Sequence, residues 1–296
     1  MRFGVHLVAA GTMIEGEKIA RVARRAEELG YDSLWVSDHI VFPTELRSAY
    51  PYSPDGKLPL DPSNPLLEPF TVLSYAAAVT KTIKLGTSVV IVPYRDPLVT
   101  AKIVASLDVL SGGRFIFGVG VGWLEEEFRA LRQNIRDRAA QTREALLVMK
   151  SCWTQEDPQF HGQFFDFSGI KFAPKPRQKP HPPIWFGGNS MPALKRAVEL
   201  GDGWHAVWET PEEVVEKSKI LRELCAKAGK EFRNFPITIN VNNRVPYTVE
   251  NVKKYEAAGV SMMFIPRSFH ADVDAIIKNM ETFAREIKEP VENQHN

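Results

Sequence analysis

The feature that most constrains this 296-residue chain is a junction it repeats: an amphipathic helical stretch, a closing glycine, then at once a short apolar run. Ile19, Val22, Ala23, Ala26 and Leu29 recur at helical spacing, Gly30 follows, and Ser33-Leu34-Trp35-Val36 comes next. The same order runs through Leu200-Gly201 into residues 203–207, through Ala258-Gly259 into 261–265, and through Gly112-Gly113 into 114–117. Glycine suits the left-handed position that ends a helix. Strands alternating with helices through short turns lie parallel, joined by right-handed crossovers. Eight strands are expected, at residues 2–7, 33–37, 83–90, 115–118, 183–187, 203–207, 236–241 and 261–265. They are short and mostly apolar, as strands covered on both faces are. Eight such strands favour an α/β fold of the (β/α)8 TIM-barrel type, one domain over residues 1–296. An open doubly wound sheet is the alternative.

Two connections are too long for plain turns. Residues 40–67 hold six of the chain's 21 prolines and show little periodicity. Residues 153–182 contain a hairpin-like stretch at 160–167 and then a proline-rich approach to the fifth strand. Both are expected as insertions after strands 2 and 4, at the C-terminal face where barrel enzymes carry their chemistry.

Composition narrows the partners. The formal net charge is +1 and the charges are interspersed, which gives no electrostatic case for nucleic acid or an anionic membrane. The first residues open directly on a strand pattern, with no signal peptide and no membrane-length apolar run, so a cytoplasmic location is expected. Cys152 and Cys225 sit in helical patterns outside any Cys-x-x-Cys and read as buried thiols. The seven histidines have no metal-ligand spacing, so no metal is expected; no Gly-x-Ser-x-Gly elbow supports a hydrolase.

Several residues at strand ends could carry chemistry. Ser37-Asp38-His39 closes strand two, where a histidine can exchange a proton near neutral pH; alternatively Asp38 caps a turn and His39 packs. Gly118, Gly120 and Gly122 follow strand four in a spacing that is not the dinucleotide fingerprint; a ligand loop and a bare tight turn are both open. Gly187-Gly188-Asn189-Ser190 opens a helix and could hold an anion on its amides, or Ser190 could simply cap it. The hydroxyls of Thr87 and Ser88 lie near the end of strand three and could touch a polar ring. Arg95 could meet a phosphate or a carboxylate, with a surface pair to Asp96 the commoner outcome, and His6 reads as a core histidine.

Taken in order, Ser37-Asp38-His39, Ser88-Val89, the block from Leu107 through Ser111-Gly112-Gly113-Arg114 to Gly122-Trp123, and Ile184-Trp185-Phe186-Gly187-Gly188 resemble the luciferase-like monooxygenase family over nearly the whole chain. The resemblance implies a barrel with insertions and a flavin-type cofactor: reduced FMN with oxygen in some members, the deazaflavin coenzyme F420 with hydride transfer in others. Ser37-Asp38-His39 is similar to the F420-dependent branch, where the Asp-His pair sits beside the deazaflavin ring. The implied function is an oxidoreductase moving a hydride between coenzyme F420 and a small organic substrate. His39 would give the proton, and Asp38 would orient it or bond the ring edge. By the same resemblance Thr87, Ser88 and Val89 back the ring, with a cis peptide often found at Ser88-Val89. Gly118, Gly120 and Gly122 would line the cofactor side; Gly187, Gly188 and Asn189 would hold its phosphate. Val121 and Trp123 stand where the sugar-phosphate dehydrogenases of that branch carry a threonine and a glutamate, which argues against a sugar phosphate. Phe42, Tyr50, Tyr52 and Trp123 point to an aromatic substrate pocket. The alternatives are an FMN-dependent monooxygenase served by a separate flavin reductase, and a non-catalytic flavin- or deazaflavin-binding protein. Family members are often homodimers, which is the expectation for this chain.

Overall fold

Strands and helices alternate from the first residues onward in the computed structural model, which describes residues 1–58, 61, 63–241, 245–266 and 271–293. The strands are β1 (Arg2–His6), β2 (Ser33–Val36), β3 (Lys84–Thr87), β4 (Val90–Ile91), β5 (Phe115–Gly120), β6 (Phe160–His161), β7 (Asp166–Phe167), β8 (Ile184–Gly187), β9 (Gly203–Val207), β10 (Ile237–Asn240) and β11 (Val260–Phe264). The helices are α1 (Gly16–Glu28), α2 (Pro69–Val79), α3 (Pro97–Leu110), α4 (Glu125–Ala130), α5 (Arg138–Thr154), α6 (Met191–Leu200), α7 (Pro211–Lys227), α8 (Val249–Ala257), α9 (Val273–Phe283) and α10 (Glu289–Glu292).

The order β3-β2-β1-β11-β10-β9-β8-β5 closes when β5 pairs back with β3, and every pairing around the ring is parallel. β4 extends the third stave past an interruption, setting Val90 beside Val119 and Ile91 beside Gly120. The barrel is therefore eight-staved, with the expected third strand cut in two at a cis Ser88–Val89 peptide.

The local grammar follows from the sequence. α1 buries Ile19, Ala20, Val22, Ala23 and Ala26 and turns its charged face outward. Gly30 and Gly259 close their helices at φ +69° and +97°, a region that costs glycine little. Gly201 does not: its backbone is extended at φ −111°, and a Cβ there would lie 2.9 Å from the Ala197 carbonyl oxygen. Prolines open α2, α3 and α7 where no backbone N–H is needed, and Thr210 and Glu213 form a capping box on α7.

The barrel interior is filled by Trp35, Ile116, Trp185, Met262 and Phe264. Trp35 and Trp185 stack at 5.4 Å between centroids, and His205 lies against Trp35 at 5.6 Å. This plug is the floor of the barrel mouth. Both cysteines are buried and unpaired, and burial raises their thiols, as inert core thiols should be.

The two insertions part company. Residues 40–58 leave the C-terminal end of β2 and fold over the mouth, as expected. Residues 153–182 do not reach the C-terminal face. They leave the C-terminus of α5, so they join a helix to the next strand at the opposite end of the barrel. Gln178 donates to Asp108 near the end of α3 and to the carbonyl of Phe115 at the start of β5, and Lys175 reaches the Cys152 carbonyl. The β6–β7 hairpin lies along α5, its turn held by Glu144. Among the described residues no helix is long and apolar enough to cross a membrane.

Candidate active site

A cavity of about 730 Å³ opens at the C-terminal ends of the strands. Its floor is a chain of polar groups above the tryptophan plug. His6 Nε2 meets Ser37 Oγ at 2.8 Å, Ser37 Oγ donates to the Ser88 carbonyl at 3.1 Å, and Ser88 Oγ meets His205 Nε2 at 2.9 Å. His205 Nδ1 in turn meets Thr238 Oγ1 at 2.7 Å. The Ser88–Val89 step is thus held from both sides.

His39 stands at the wall on the residues that follow β2, its Nδ1 2.8 Å from Glu127 Oε2. Glu127 is fully buried and also accepts from the amides of Ile40 at 2.6 Å and Val41 at 3.1 Å. A carboxylate only accepts, so Nδ1 carries a hydrogen toward it, and in the neutral imidazole Nε2 is then the acceptor. Nε2 has no protein partner among the described residues. Burial, with the Glu127 charge beside it, drives the Tyr94 phenol far above its ordinary range and keeps it neutral.

Asp38 has a different fate from the one expected. Its carboxylate is buried in a bidentate pair with Arg95, at 2.7 and 2.8 Å, and takes the Ile91 amide at 3.0 Å. Arg95 also reaches Glu68 at 3.0 Å, so it pairs inward with two acids rather than with Asp96, which caps α3. Asp38 ties β2 to the end of the third stave, while the group that orients His39 is Glu127.

Ser88, Val89, Gly120, Gly122, Gly187, Gly188 and Asn189 all line the cavity with Asp38 and His39. Thr87 and Gly118 do not: Thr87 donates to the Gly118 carbonyl at 2.7 Å, buried behind the wall. β5 runs to Gly120, so Gly118 and Gly120 belong to the strand and not to a loop. A Cβ on Gly118 would fall 1.8 Å from the Thr87 carbonyl oxygen, and one on Gly120 would fall 2.7 Å from Val89. Those glycines are demanded by the close approach of the third stave. Asn189 spends its side chain bridging to the backbone of Val207 on β9, leaving its amide to the cavity.

The outer wall is aromatic. Tyr50 makes edge contacts with Trp123 at 5.2 Å, Tyr52 at 5.4 Å and Trp208 at 5.7 Å. Tyr50 and Trp123 line the cavity; Phe42 lies behind them, its ring 4.6 Å from His39. Burial, then Tyr50 and Glu209, pushes the Tyr52 phenol up to about 12.

Beside Gly187–Ser190 the wall is cationic. Arg138 and Arg196 both line the cavity, and each has a buried Nε with no hydrogen-bond partner. Neither forms an ion pair among the described residues. Burial and the neighbouring Arg138 weaken the hold of Arg196 on its proton. Ser190 caps α6 by accepting from the Ala193 amide. An unpaired arginine couple next to a helix N-terminus is the arrangement an anion would complete.

Known proteins share this frame. Residues 1–271 match the luciferase-like monooxygenase family. The chain belongs to that family. A Mycobacterium tuberculosis member, described only as uncharacterized, is 31% identical over 273 residues, covering 90% of this chain and 93% of the relative. An FMNH2-dependent dimethylsulfone monooxygenase of Pseudomonas putida is 30% identical over 165 residues, 55% of this chain and 45% of that one. The solved structure of an F420-dependent secondary alcohol dehydrogenase, bound to an F420–acetone adduct, aligns over 97% of this chain and 98% of its own with a TM-score of 0.76 and 18% identity. At that identity the likeness speaks for the fold. Luciferase-like relatives therefore divide between the two cofactor types.

In this family member the residues that strand-end reasoning missed are Glu127, Arg138, Arg196 and His205. Three come from helices α4, α5 and α6, and His205 from β9 beneath Ser88. One signal was available for Glu127: Leu124 and Phe128 flank it on the buried side of α4, which turns the third acid of a surface-looking run inward.

Proposed function

We propose that this luciferase-like protein is an oxidoreductase that transfers a hydride between coenzyme F420 and a small organic substrate. The observation that carries the reading is the His39–Glu127 pair, which leaves one basic nitrogen facing the cavity. The residues present fit a phosphate-bearing ring cofactor. The orphaned guanidinium nitrogens of Arg138 and Arg196 and the amides of Gly187–Ser190 would hold its phosphate, and Ser88-Val89 would stand behind its ring. The cavity is within the usual range for a cofactor site. When bound, the deazaflavin supplies a carbon that accepts or gives a hydride.

The chain's own residues do the rest. Glu127 fixes the ring of His39 through Nδ1, so Nε2 can take a hydroxyl proton as hydride leaves, or return it in the reverse direction. Asp38 and Arg95 hold the end of the third stave in register without meeting the reacting atoms. The aromatic wall keeps water from the reacting carbon.

A second reading, an FMN-dependent monooxygenase, is favoured by the arginine couple, because a terminal phosphomonoester carries nearly two negative charges at neutral pH. Titrating the protein with F420 and, separately, with FMN distinguishes the two. Tighter F420 binding and turnover without oxygen support hydride transfer; FMN preference with strict need for oxygen and a reductase overturns it. His39→Ala should lower kcat by about 10²- to 10⁴-fold and leave the cofactor Kd within a few-fold. Undiminished turnover would remove His39 from the mechanism.

A further inference from the structure

The insertion after β2 carries one phenol across the mouth to the cationic wall. Residues 50–56 close on themselves: the Tyr50 amide donates to the Gly56 carbonyl at 2.7 Å and the Gly56 amide to the Ser53 carbonyl at 3.1 Å. Tyr50 rests against Trp123 after β5 and against Trp208 after β9, the latter at φ +58°, where a bulky residue seldom sits. Tyr52 reaches β8 instead. Its ring meets Tyr50 edge-on at 5.4 Å, and its hydroxyl oxygen lies 3.5 Å from where a Cβ on Gly188 would stand. Gly188 has no side chain and lies at φ +108°, so the phenol meets bare backbone at the entry to α6. Tyr52, Gly188, Ser190, Arg138 and Arg196 all line the cavity. Arg196 stands six residues after the Ser190 cap, and long helical side chains lean toward the N-terminus of their helix.

We infer that Tyr52 is a ligand for the phosphoryl group taken by the Gly187–Ser190 wall, its hydroxyl donating to a phosphate oxygen together with Arg138 and Arg196, and that the bound anion thereby fastens residues 50–56 across the mouth. The inference rests on the reading of that wall as a phosphate site and is the same whichever ring bears the phosphate. Among the described residues the Tyr52 hydroxyl has no hydrogen-bond partner, so it is free to donate. Burial, then Tyr50 and Glu209, pushes the phenol up to about 12, so it keeps its proton through the neutral range and meets an anion as a donor. Glu209 does not set a bare negative charge beside it, because Lys217 pairs with that carboxylate at 2.6 Å. The arginines and the Gly187–Ser190 amides belong to α5, α6 and the turn between β8 and α6, while Tyr52 belongs to the insertion. A phosphate held between them joins insertion to barrel, and Tyr50, two residues away, is set by the same anchor.

Calorimetric titration of the purified full chain with inorganic phosphate tests this. Tyr52→Phe keeps the ring and its contact with Tyr50 and removes only the hydroxyl. It should weaken phosphate binding by about 10- to 100-fold, the loss of one hydrogen bond to a charged group, with the unfolding midpoint unchanged. Arg196→Met should weaken it as well. The second readout is tryptic cleavage after Lys57, which is exposed beside the turn. Saturating phosphate should slow that cut several-fold in the wild type and leave it unchanged in Tyr52→Phe. Phosphate binding within threefold of wild type in Tyr52→Phe, with Arg196→Met impaired, would overturn the role of Tyr52 and leave the phosphate wall standing. Slowing of the cut that persists in Tyr52→Phe would overturn the fastening. A wild type that does not bind phosphate, or binding unchanged in both variants, would overturn the inference together with the phosphate wall. Failure of the hydride-transfer reading appears elsewhere, in the comparison of F420 with FMN.

Discussion

Replacing Glu127 with glutamine keeps the side chain's shape and deletes its charge. The wild-type carboxylate accepts from His39 Nδ1 at 2.8 Å and from the amides of Ile40 and Val41 at 2.6 and 3.1 Å. A glutamine offers one acceptor oxygen in place of two. If that oxygen stays with the amides, its NH2 faces the Nδ1 hydrogen; if it turns to His39, the NH2 faces the two amides. Either one buried donor is left unsatisfied or His39 moves its hydrogen to Nε2 and loses the acceptor facing the cavity, at a cost of about 1–3 kcal/mol, and the bond to histidine loses its charge assistance, about 1 kcal/mol more. If His39 takes the proton as proposed, a share of about 2–3 kcal/mol falls on the transition state, or roughly 30- to 150-fold in kcat. Steady-state kinetics should show kcat falling with KM little changed, and the cofactor Kd should stay within a few-fold because the arginine wall is untouched. Glu127→Asp, which restores the charge with a shorter reach, should recover part of kcat. If Glu127→Gln turned over within threefold of wild type while His39→Ala was inactive, the carboxylate would have no positioning role.

Asp38→Asn should destabilise the fold by about 2–4 kcal/mol, a little under the cost of breaking a wholly buried pair, because Arg95 keeps Glu68; a urea-unfolding midpoint unchanged from wild type would show that Asp38 is not the brace described. Glu27 gives a pH signature: burial alone would raise it, but the amides of Ile83, Thr82 and Lys81 and the Thr82 hydroxyl hold it at about 2 against an ordinary 4.5. A depressed acid stabilises above its unfolded value and loses that contribution as pH falls toward its folded one. The Tm gap between wild type and Glu27→Gln should be full at pH 7 and close between about pH 4.5 and 2, and a gap independent of pH would sink the assignment.

The barrel was legible because its repeat is local: each helix, closing glycine and apolar strand announces itself within about 20 residues. Where the reading slipped, the missing information was spatial. Residues 153–182 look like a functional insertion by length and proline content, yet they follow a helix, and a helix-to-strand connection lies at the end of the barrel away from the chemistry. The glycines of β5 suggested a ligand loop, but the close neighbour of Gly118 is Thr87, brought there only when the third stave pairs with the fourth. The site divides in the same way. His39 and Gly187–Ser190 stand at strand ends, where position alone marks them. Arg138 and Arg196 reach the cavity from helices and are adjacent only in the closed barrel, so their unpaired state has no trace in the order of residues.

The acidic run at the start of α4 shows how far one short element governs this mouth. Glu125 is exposed, and its neighbour Glu126 accepts from the Arg47 and Ser48 amides and the Ser48 hydroxyl. Burial works against that carboxylate, but these bonds hold it at about 2, so it is charged throughout the neutral range. Glu127 holds Ile40, Val41 and His39. Two consecutive side chains thus pin both ends of residues 40–48, a segment with no strand or helix of its own. The loop carrying Tyr50 is fixed to the helix that follows Trp123, and the two rings that form the aromatic wall are set by one support. Loosening Glu126 should therefore disturb the substrate wall, and loosening Glu127 the histidine. In the proposed function, neighbouring acids on a six-residue helix would divide the placement of substrate and of proton between them.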